Sequence, residues 1–275
     1  MKLTWLTDTH LNFLDTNGIE EFLLTVKESG PEAIAISGDI AESRDVVGHL
    51  QRMEEVWEVP IYFVLGSHDY FGSRIREVRS AVGRLASRSR FLHYLTVSEP
   101  TSLSPDTVIL GHDSWQDGRF GDFMGSPVVI EDFRQILDLM PPQSALDPVG
   151  ILPQPQRLAL MQLLAEEAAN HIATFLPRAL SSARQVVLAT HVPPFRETCW
   201  YRGKVSDNDY LPFFACKAVG DVLLRIMSCH RDSQLLVLCG HTHGGGEMLV
   251  RENLRVMTGR ATYGEPEIQK IITLP

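Results

Sequence analysis

Five short apolar runs, each followed at once by histidine or aspartate, constrain this chain more than any other feature. Residues 3–6 lead to Asp8-Thr9-His10, 33–37 to Gly38-Asp39, 61–65 to Gly66-Ser67-His68-Asp69, 186–190 to His191, and 235–239 to Gly240-His241-Thr242-His243. Short apolar runs bounded by glycine and polar residues read as buried strands. In α/β sheets, ligands bind in the crevice outside the carboxyl ends of the strands. Five strands that end in His or Asp therefore read as one metal site assembled from five loops. A donor set of imidazole and carboxylate suits Mn, Fe or Zn better than Mg or Ca alone.

Amphipathic stretches separate the strands. Residues 17–28 carry Ile19, Phe22, Leu23 and Val26 at helical spacing; 45–57 carry Val46, Leu50, Met53 and Val56; 73–87 carry Ile75, Val78, Val82 and Leu85. The N-terminal third is thus β-α-β-α-β-α, the signature of a partly parallel sheet. Further strands are expected near 92–97 and 107–110. Residues 141–155 hold five prolines and read as a loop. A helix is expected over 156–175 and another over 217–230, and short runs at 247–250, 254–257 and 268–274 look like an antiparallel β tail.

The 275 residues and 44% hydrophobic content suffice for one large α/β domain spanning 1–275, with an irregular Pro-rich insertion around 112–156. The net charge of −9 argues against duplex nucleic acid as the main partner, because such binding relies on Lys and Arg neutralising phosphates. No apolar run approaches the roughly 18 residues of a membrane span, so no membrane partner is expected. The first strand begins at the second residue and already leads to Asp8 and His10, so a cleaved signal would remove functional groups; a cytoplasmic location is expected. Cys199, Cys216, Cys229 and Cys239 form no C-x-x-C pair and read as free thiols.

Taken singly, D-x-H suits a cap or surface pair, Gly-Asp suits a turn, and a strand-end His suits a hydrogen-bonded structural residue. Gly240-His241-Thr242-His243 says more, since alternate residues of an extended segment can face one centre. The order of all five groups resembles the calcineurin-like metallophosphoesterases, whose outline is D-x-H, G-D, G-N-H-D/E, H and G-H-x-H. The resemblance spans residues 8–243. It implies an α/β (α+β) fold of the metallo-dependent phosphatase type, a four-layer αββα sandwich with two mixed β-sheets. It also implies two divalent metal ions, Mn as first choice with Fe, Zn or Ni as alternatives. Carried over, Asp8, His10, Asp39 and His243 hold the first ion. Asp39, Ser67, His191 and His241 hold the second, with Asp39 bridging. His68 stands beside the ions as a catalytic residue, and Asp69 either orients its imidazole or forms a turn or cap.

The implied activity is hydrolysis of a phosphate mono- or diester by a metal-bound hydroxide at a dinuclear centre. Two ions roughly 3.5–4 Å apart can clamp the attacking and leaving oxygens of an in-line displacement. A positioned imidazole such as His68 adds typically 10²- to 10⁴-fold. Two readings compete: a nuclease or cyclic-nucleotide phosphodiesterase on the same centre, and a catalytically idle protein-binding scaffold.

The sequence departs from the family outline at Gly66-Ser67-His68, where the expected Asn, which ligates through its amide oxygen, is a serine. A hydroxyl is shorter and a poorer neutral donor. Ser67 can bind directly or through water, the second ion can bind weakly, or one ion can suffice; retained but weakened binding is the expectation. Glu42 stands where purple acid phosphatases place a Tyr, and Gly38-Asp39-Ile40-Ala41-Glu42-Ser43 lacks the G-D-x-V-D-R-G of Ser/Thr phosphoprotein phosphatases. The loops at 111–120 and 193–202 mix aromatics with arginine, which suits a small or mid-sized organic phosphate ester. They offer His112, Asp113, Arg119, Arg196 and Arg202 as substrate contacts; the alternative is that their aromatics Trp115, Phe195 and Trp200 simply pack the loops.

Overall fold

The computed structural model describes residues 1–141 and 150–275. The middle of the expected Pro-rich loop, 142–149, lies outside the described residues. The first sheet contains β1 (Lys2–Leu6), β2 (Ala33–Ser37), β3 (Ile61–Val64) and β4 (Leu92–Tyr94), connected by α1 (Thr16–Glu28), α2 (Val46–Trp57) and α3 (Ile75–Ala86). The second contains β5 (Thr101–Ser104), β6 (Thr107–His112) and, after the short α4 (Asp132–Gln135) and the long α5 (Gln154–Ser182), β7 (Gln185–Thr190). A two-stranded ribbon, β8 (Trp200–Tyr201) with β9 (Lys204–Val205), precedes α6 (Leu211–Phe214), α7 (Lys217–Cys229) and β10 (Gln234–Cys239). The chain closes with β11 (Gly246–Arg251), β12 (Leu254–Thr258) and β13 (Lys270–Thr273).

Strands β1 to β4 pair in parallel, as do β6-β7-β10-β12. Because each of these sheets is covered on both faces, its inner strands are continuous apolar runs rather than alternating ones. The period of two still decides which layer each side chain joins. Leu3, Trp5, Ala33, Ala35, Tyr62 and Val64 face Ile109, Val187, Ala189, Leu236 and Leu238 across the gap between the sheets. Ile34, Ile36 and Phe63 point the other way, onto α1, α2 and α3. Val108, Leu110, Val186, Leu188 and Val237 point outward onto α5 and α7. The result is the four-layer αββα sandwich with two mixed sheets.

The helices follow their apolar stripes. In α3, Ile75, Val78 and Val82 are buried, each fully buried aliphatic contributing roughly 1.5–3 kcal/mol. Asp15 caps α1 by accepting the Gly18 N–H at 2.8 Å, a contact whose loss costs typically about 1 kcal/mol. Helix α5 runs through Pro177 to Ser182, beyond the expected 156–175.

The expected antiparallel tail is divided. β11 and β12 do pair antiparallel, but β12 joins β10 in parallel, and β13 crosses to the first sheet to pair antiparallel with β1. Register explains the split: β13 covers the outer edge of β1, which the parallel ladder leaves open. The expected strand 92–97 also ends early, at Tyr94, and continues as a tight turn over Leu95–Val97.

Candidate metal centre

All five polar groups emerge at the carboxyl ends of β1, β2, β3, β7 and β10, and the backbone there is unusual. Asp8, His10, Asp39, His241 and His243 have φ of 47°, 41°, 51°, 70° and 57°. This left-handed region is uncommon for residues with a Cβ, and costs on the order of 1–3 kcal/mol per residue unless the surroundings enforce it. Here the loops enforce one another. Asp8 Oδ1 accepts the backbone N–H of His241 at 2.9 Å, and Asp39 Oδ1 accepts that of His68 at 2.9 Å. The approach is so close that a Cβ on Gly66 would overlap the Asp39 carboxylate, and one on Gly240 would overlap that of Asp8. Glycine is needed at both positions for space.

Two groups of donors result. Asp8, His10, Asp39 and His243 place one ligand atom each within 4.8 Å of one another; Asp39, His191 and His241 do the same. Asp39 belongs to both. Ser67 is buried beside them in the same cleft.

The hydrogen bonds of the histidines say which nitrogen is free. His191 Nδ1 lies 3.0 Å from the Ser37 carbonyl and His241 Nε2 lies 2.8 Å from that of Phe213. A carbonyl only accepts, so both of these nitrogens carry protons, and the other nitrogen of each ring is turned inward, where it can serve as a metal ligand. Those inward nitrogens, His191 Nε2 and His241 Nδ1, sit 3.2 Å apart. His10 Nε2 and His243 Nε2 face each other at 3.1 Å in the other group, while His10 Nδ1 is buried with no partner among the described residues. Imidazole nitrogens that converge on one another in this way, beside buried carboxylates, fit divalent cations.

Charge in the protein itself follows the same geometry. Burial works against ionising Asp39, but the neighbouring His191 and His68 outweigh it and hold its carboxyl well below the usual range. His191 is raised to about 10 by Asp39 and Asp8 despite its burial. Burial, then the charge of His191, lowers His241 to about 3, and burial likewise lowers His10 to about 3. Asp8 is raised, chiefly by burial.

His68 belongs to neither donor group. Its ring lines the cleft, stacked on Phe71 at 4.2 Å and 4.6 Å from the His10 ring. Asp69 is fully buried, and its carboxylate is taken up by backbone: Oδ1 accepts from Ile40 and Ala41 N–H at 2.9 Å, Oδ2 from Gly66 N–H at 2.8 Å. It ties the β2 and β3 loops together, which is the turn role rather than the orientation of the imidazole.

None of the five residues expected to contact substrate lines the cleft at the donors. Asp113 is buried with its carboxylate satisfied by Leu65 N–H, Thr96, Tyr70, Tyr94 and Arg79. His112 is buried against α5, 3.6 Å from Glu167. Arg119 pairs with Asp117 and Glu166, Arg196 donates to Asn208, and Arg202 lies over the Tyr201 ring. Trp115 and Phe195 are buried in the two hydrophobic cores on the outer faces of the sheets, Trp115 beside Tyr70.

A cleft of about 350 Å³ opens onto the donors and is lined also by Val129, Ile130, Glu131, Asp132, Tyr201, Phe214 and Tyr263. Tyr263 packs its ring 4.6 Å from His10 and 5.0 Å from His243; Phe214 stands edge-on to His241. Sequence reasoning placed the 193–202 loop here but missed Tyr263 and Asp132, which belong to no motif. No Lys or Arg lines the cleft among the described residues, and 142–149 contain neither. No described helix is long and apolar enough to cross a membrane.

A two-sheet sandwich with imidazole and carboxylate donors gathered at its strand ends defines the metallo-dependent phosphatase class of fold. Two solved structures of that class superpose on nearly the whole chain. A dimetal phosphatase from Danio rerio is 12% identical, covering 97% of this chain and 89% of its own, with a TM-score of 0.59. A phosphopantetheinyl hydrolase from Mycobacterium tuberculosis is 15% identical, covering 96% and 90%, with a TM-score of 0.62. At these identities the likeness shows the fold. The family model for calcineurin-like phosphoesterases matches residues 1–245, and the chain belongs to that family, a phosphoric ester hydrolase. No curated protein sequence matches it.

Proposed function

We propose that the protein hydrolyses a small or mid-sized organic phosphate ester at a dinuclear centre. In this reading Asp8, His10, Asp39 and His243 hold one divalent ion, and Asp39, His191, His241 and Ser67 hold the other. Mn is the first choice, with Fe, Zn or Ni as alternatives, since carboxylate suits Mn and imidazole suits the others. The observation that carries the reading is Asp39, a buried carboxylate common to both donor groups. When bound, such ions activate water near neutral pH and neutralise charge in an in-line displacement.

The chain's own side chains supply the rest. His68 reaches into the cleft from outside both donor groups, where an imidazole can donate to a phosphoryl oxygen or to the leaving group. Tyr263 on one side and Phe214 and Tyr201 on the other give the ester an apolar or aromatic wall. With no Lys or Arg in the lining, the phosphate charge must be met at the donor centre. This favours a lightly charged ester, such as a diester with an aromatic or apolar group, over a polyphosphate, and it disfavours duplex nucleic acid.

A substrate panel tests this: an aryl phosphate, a bis-aryl phosphodiester, a cyclic nucleotide and an oligonucleotide, each with Mn, Fe, Zn, Ni and Mg. Hydrolysis of the aryl esters with Mn is expected, the diester faster. Folded protein that is inactive on all of them with every metal would overturn the proposal in favour of the scaffold.

A further inference from the structure

Two large aromatic side chains stand half in water beside the donor centre. Phe13 is 52% exposed and Tyr263 47%, and their rings lie 4.6 Å apart, tilted by 38°. The Tyr263 ring also lies 4.6 Å from that of His10, 5.0 Å from His243 and 6.0 Å from His68, and it lines the cleft. The other two aromatics of the lining are engaged differently: Tyr201 and Phe214 pack on each other and on Tyr210. A single exposed apolar side chain needs no explanation, but a contiguous pair at the edge of a ligand site does.

Backbone contacts hold both rings in place. Phe13 closes the tight turn that follows His10, donating its N–H to the His10 carbonyl at 3.0 Å. Tyr263 occupies the corner of a turn over 262–265. Glu265 N–H donates to the Thr262 carbonyl at 3.1 Å, and Gly264 has φ of 81°, the positive value that the third residue of a type II turn requires. Around this turn, 259–269 is closed on itself. Arg260 forks onto Glu267 at 2.5 and 2.7 Å, and the Gln269 amide bonds the N–H and the carbonyl of Arg260 at 2.9 and 2.8 Å. The segment is also tied down at three points: Gly259 N–H donates to the Cys239 carbonyl, Ala261 N–H to that of His243, and Gln269 N–H to that of Trp5. It carries the chain from β12 in the second sheet to β13 in the first, beyond the residues 1–245 that match the family model.

A ring fixed in this way loses little freedom when a second ring packs on it. The pair gains from the apolar area covered and from the aromatic contact itself. In the two-ion reading, His10 and His243 hold the first ion, so Tyr263 stands where a substituent of the bound ester leaves that ion. We propose that Tyr263, backed by Phe13, is a specificity-determining residue: its ring is the platform for a planar aromatic group of the ester, and it sets a preference for aryl or nucleoside esters over alkyl ones. The proposal rests on the ester-hydrolase reading above. The donor centre supplies the reaction, and the segment 259–269 supplies the choice of substrate.

Equilibrium binding to the Mn-loaded protein tests this apart from turnover. The probes are phenylphosphonate and an adenosine phosphonate, each against methylphosphonate; all three carry the same charged group on a P–C bond that ester hydrolysis leaves intact. The wild type is expected to bind at least one aromatic probe roughly tenfold tighter than methylphosphonate. Tyr263→Ala is expected to bring that ratio to within about twofold, with methylphosphonate affinity and Mn content kept. Tyr263→Phe retains the ring and is expected to retain the ratio. With a bis-aryl phosphodiester as substrate, Tyr263→Ala should lose kcat/KM mainly through KM, the mark of binding shared by ground and transition states. Should Tyr263→Ala not fold, Phe13→Ala removes the backing ring and is expected to lower the ratio about threefold. The proposal is overturned by a wild type that prefers neither aromatic probe, by a ratio that survives Tyr263→Ala or Phe13→Ala, or by its loss in Tyr263→Phe. Loss of Mn in Tyr263→Ala would also overturn it, making the ring a cover for His10 and His243. Aromatic preference without hydrolysis of any ester would instead overturn the proposed function and leave the platform standing.

Discussion

Asp39 and Asp113 are both buried carboxylates at the carboxyl end of a parallel strand, one after β2 and one after β6, yet they do opposite things. Asp113 is saturated: Thr96 and Leu65 N–H occupy Oδ1, and Tyr70, Tyr94 and Arg79 occupy Oδ2. Asp39 accepts one backbone N–H from His68 and otherwise faces imidazole nitrogens, with His191 Nε2 3.3 Å away. Saturation marks a carboxylate that holds the fold; an opening toward other donors marks one that holds something else. Aspartate after a strand looks the same in both cases, and only the partners distinguish them.

Exchanging each aspartate for asparagine should separate the two roles. The largest effect is expected from Asp39→Asn, which weakens both donor groups at once. Metal analysis should show both ions reduced and ester hydrolysis roughly 10³-fold or more slower, since such ions supply several kcal/mol of charge stabilisation. Thermal unfolding should show the fold standing. Normal metal content in this variant would erase the contrast with Asp113.

His68→Ala sharpens the picture from within the centre. Turnover should fall by roughly 10²- to 10⁴-fold while metal content stays near wild type. Loss of metal would make His68 a ligand.

Asp113→Asn should do the reverse of Asp39→Asn. Removing one partner of a buried ion pair costs about 3–5 kcal/mol; the lower end is expected, because Arg79 keeps Glu167 as a second partner. Denaturant unfolding should show it, with metal stoichiometry of the folded protein unchanged. The effect also has a pH signature. Burial alone would raise the Asp113 carboxyl, but Arg79 and the surrounding donors lower it below its ordinary value. A depressed carboxyl stabilises the fold above its unfolded pKa of about 3.9 and ceases to do so as pH falls through the folded value. The wild type's advantage over Asp113→Asn should therefore be full at neutral pH and shrink below about pH 4. A constant difference down to pH 2 would mean that packing, not charge, is what the substitution removes.

The smallest effect is expected from Arg119→Ala. Its pair with Glu166 lies partly in solvent, where such contacts are worth about 0–1 kcal/mol; its contact with the buried Asp117 is long, at 3.4 Å, and that carboxylate keeps the backbone N–H of residues 119 and 218; and it does not line the cleft. A large rise in KM on that change would return Arg119 to the substrate site.

How much was legible in the sequence follows from the range of the forces involved. Strands and helices could be read because apolar spacing is local: α1, α2, α3 and α7 begin and end within two residues of their expected bounds. The strand ends carrying Asp8, Asp39, His191 and His241 could be read for the same reason. Asp113 misled because its donors come from residues 65 to 96, distant in sequence, and nothing local announces saturation. Asp132 and Tyr263 were invisible because they stand in aperiodic segments and reach the cleft only through tertiary packing. The division of the last three strands between two sheets depends on which edge was open, which is a property of the assembled sandwich.

The five left-handed corners at Asp8, His10, Asp39, His241 and His243 have a further consequence. On the proposed assignment they form a cage whose walls are set before any ion arrives, and such a cage cannot widen to suit its guest. Calcium, which gathers six to eight oxygens at about 2.3–2.6 Å in pliant surroundings, should find these corners, three imidazoles to two carboxylates, ill-suited and should fail to compete with transition metals even in large excess.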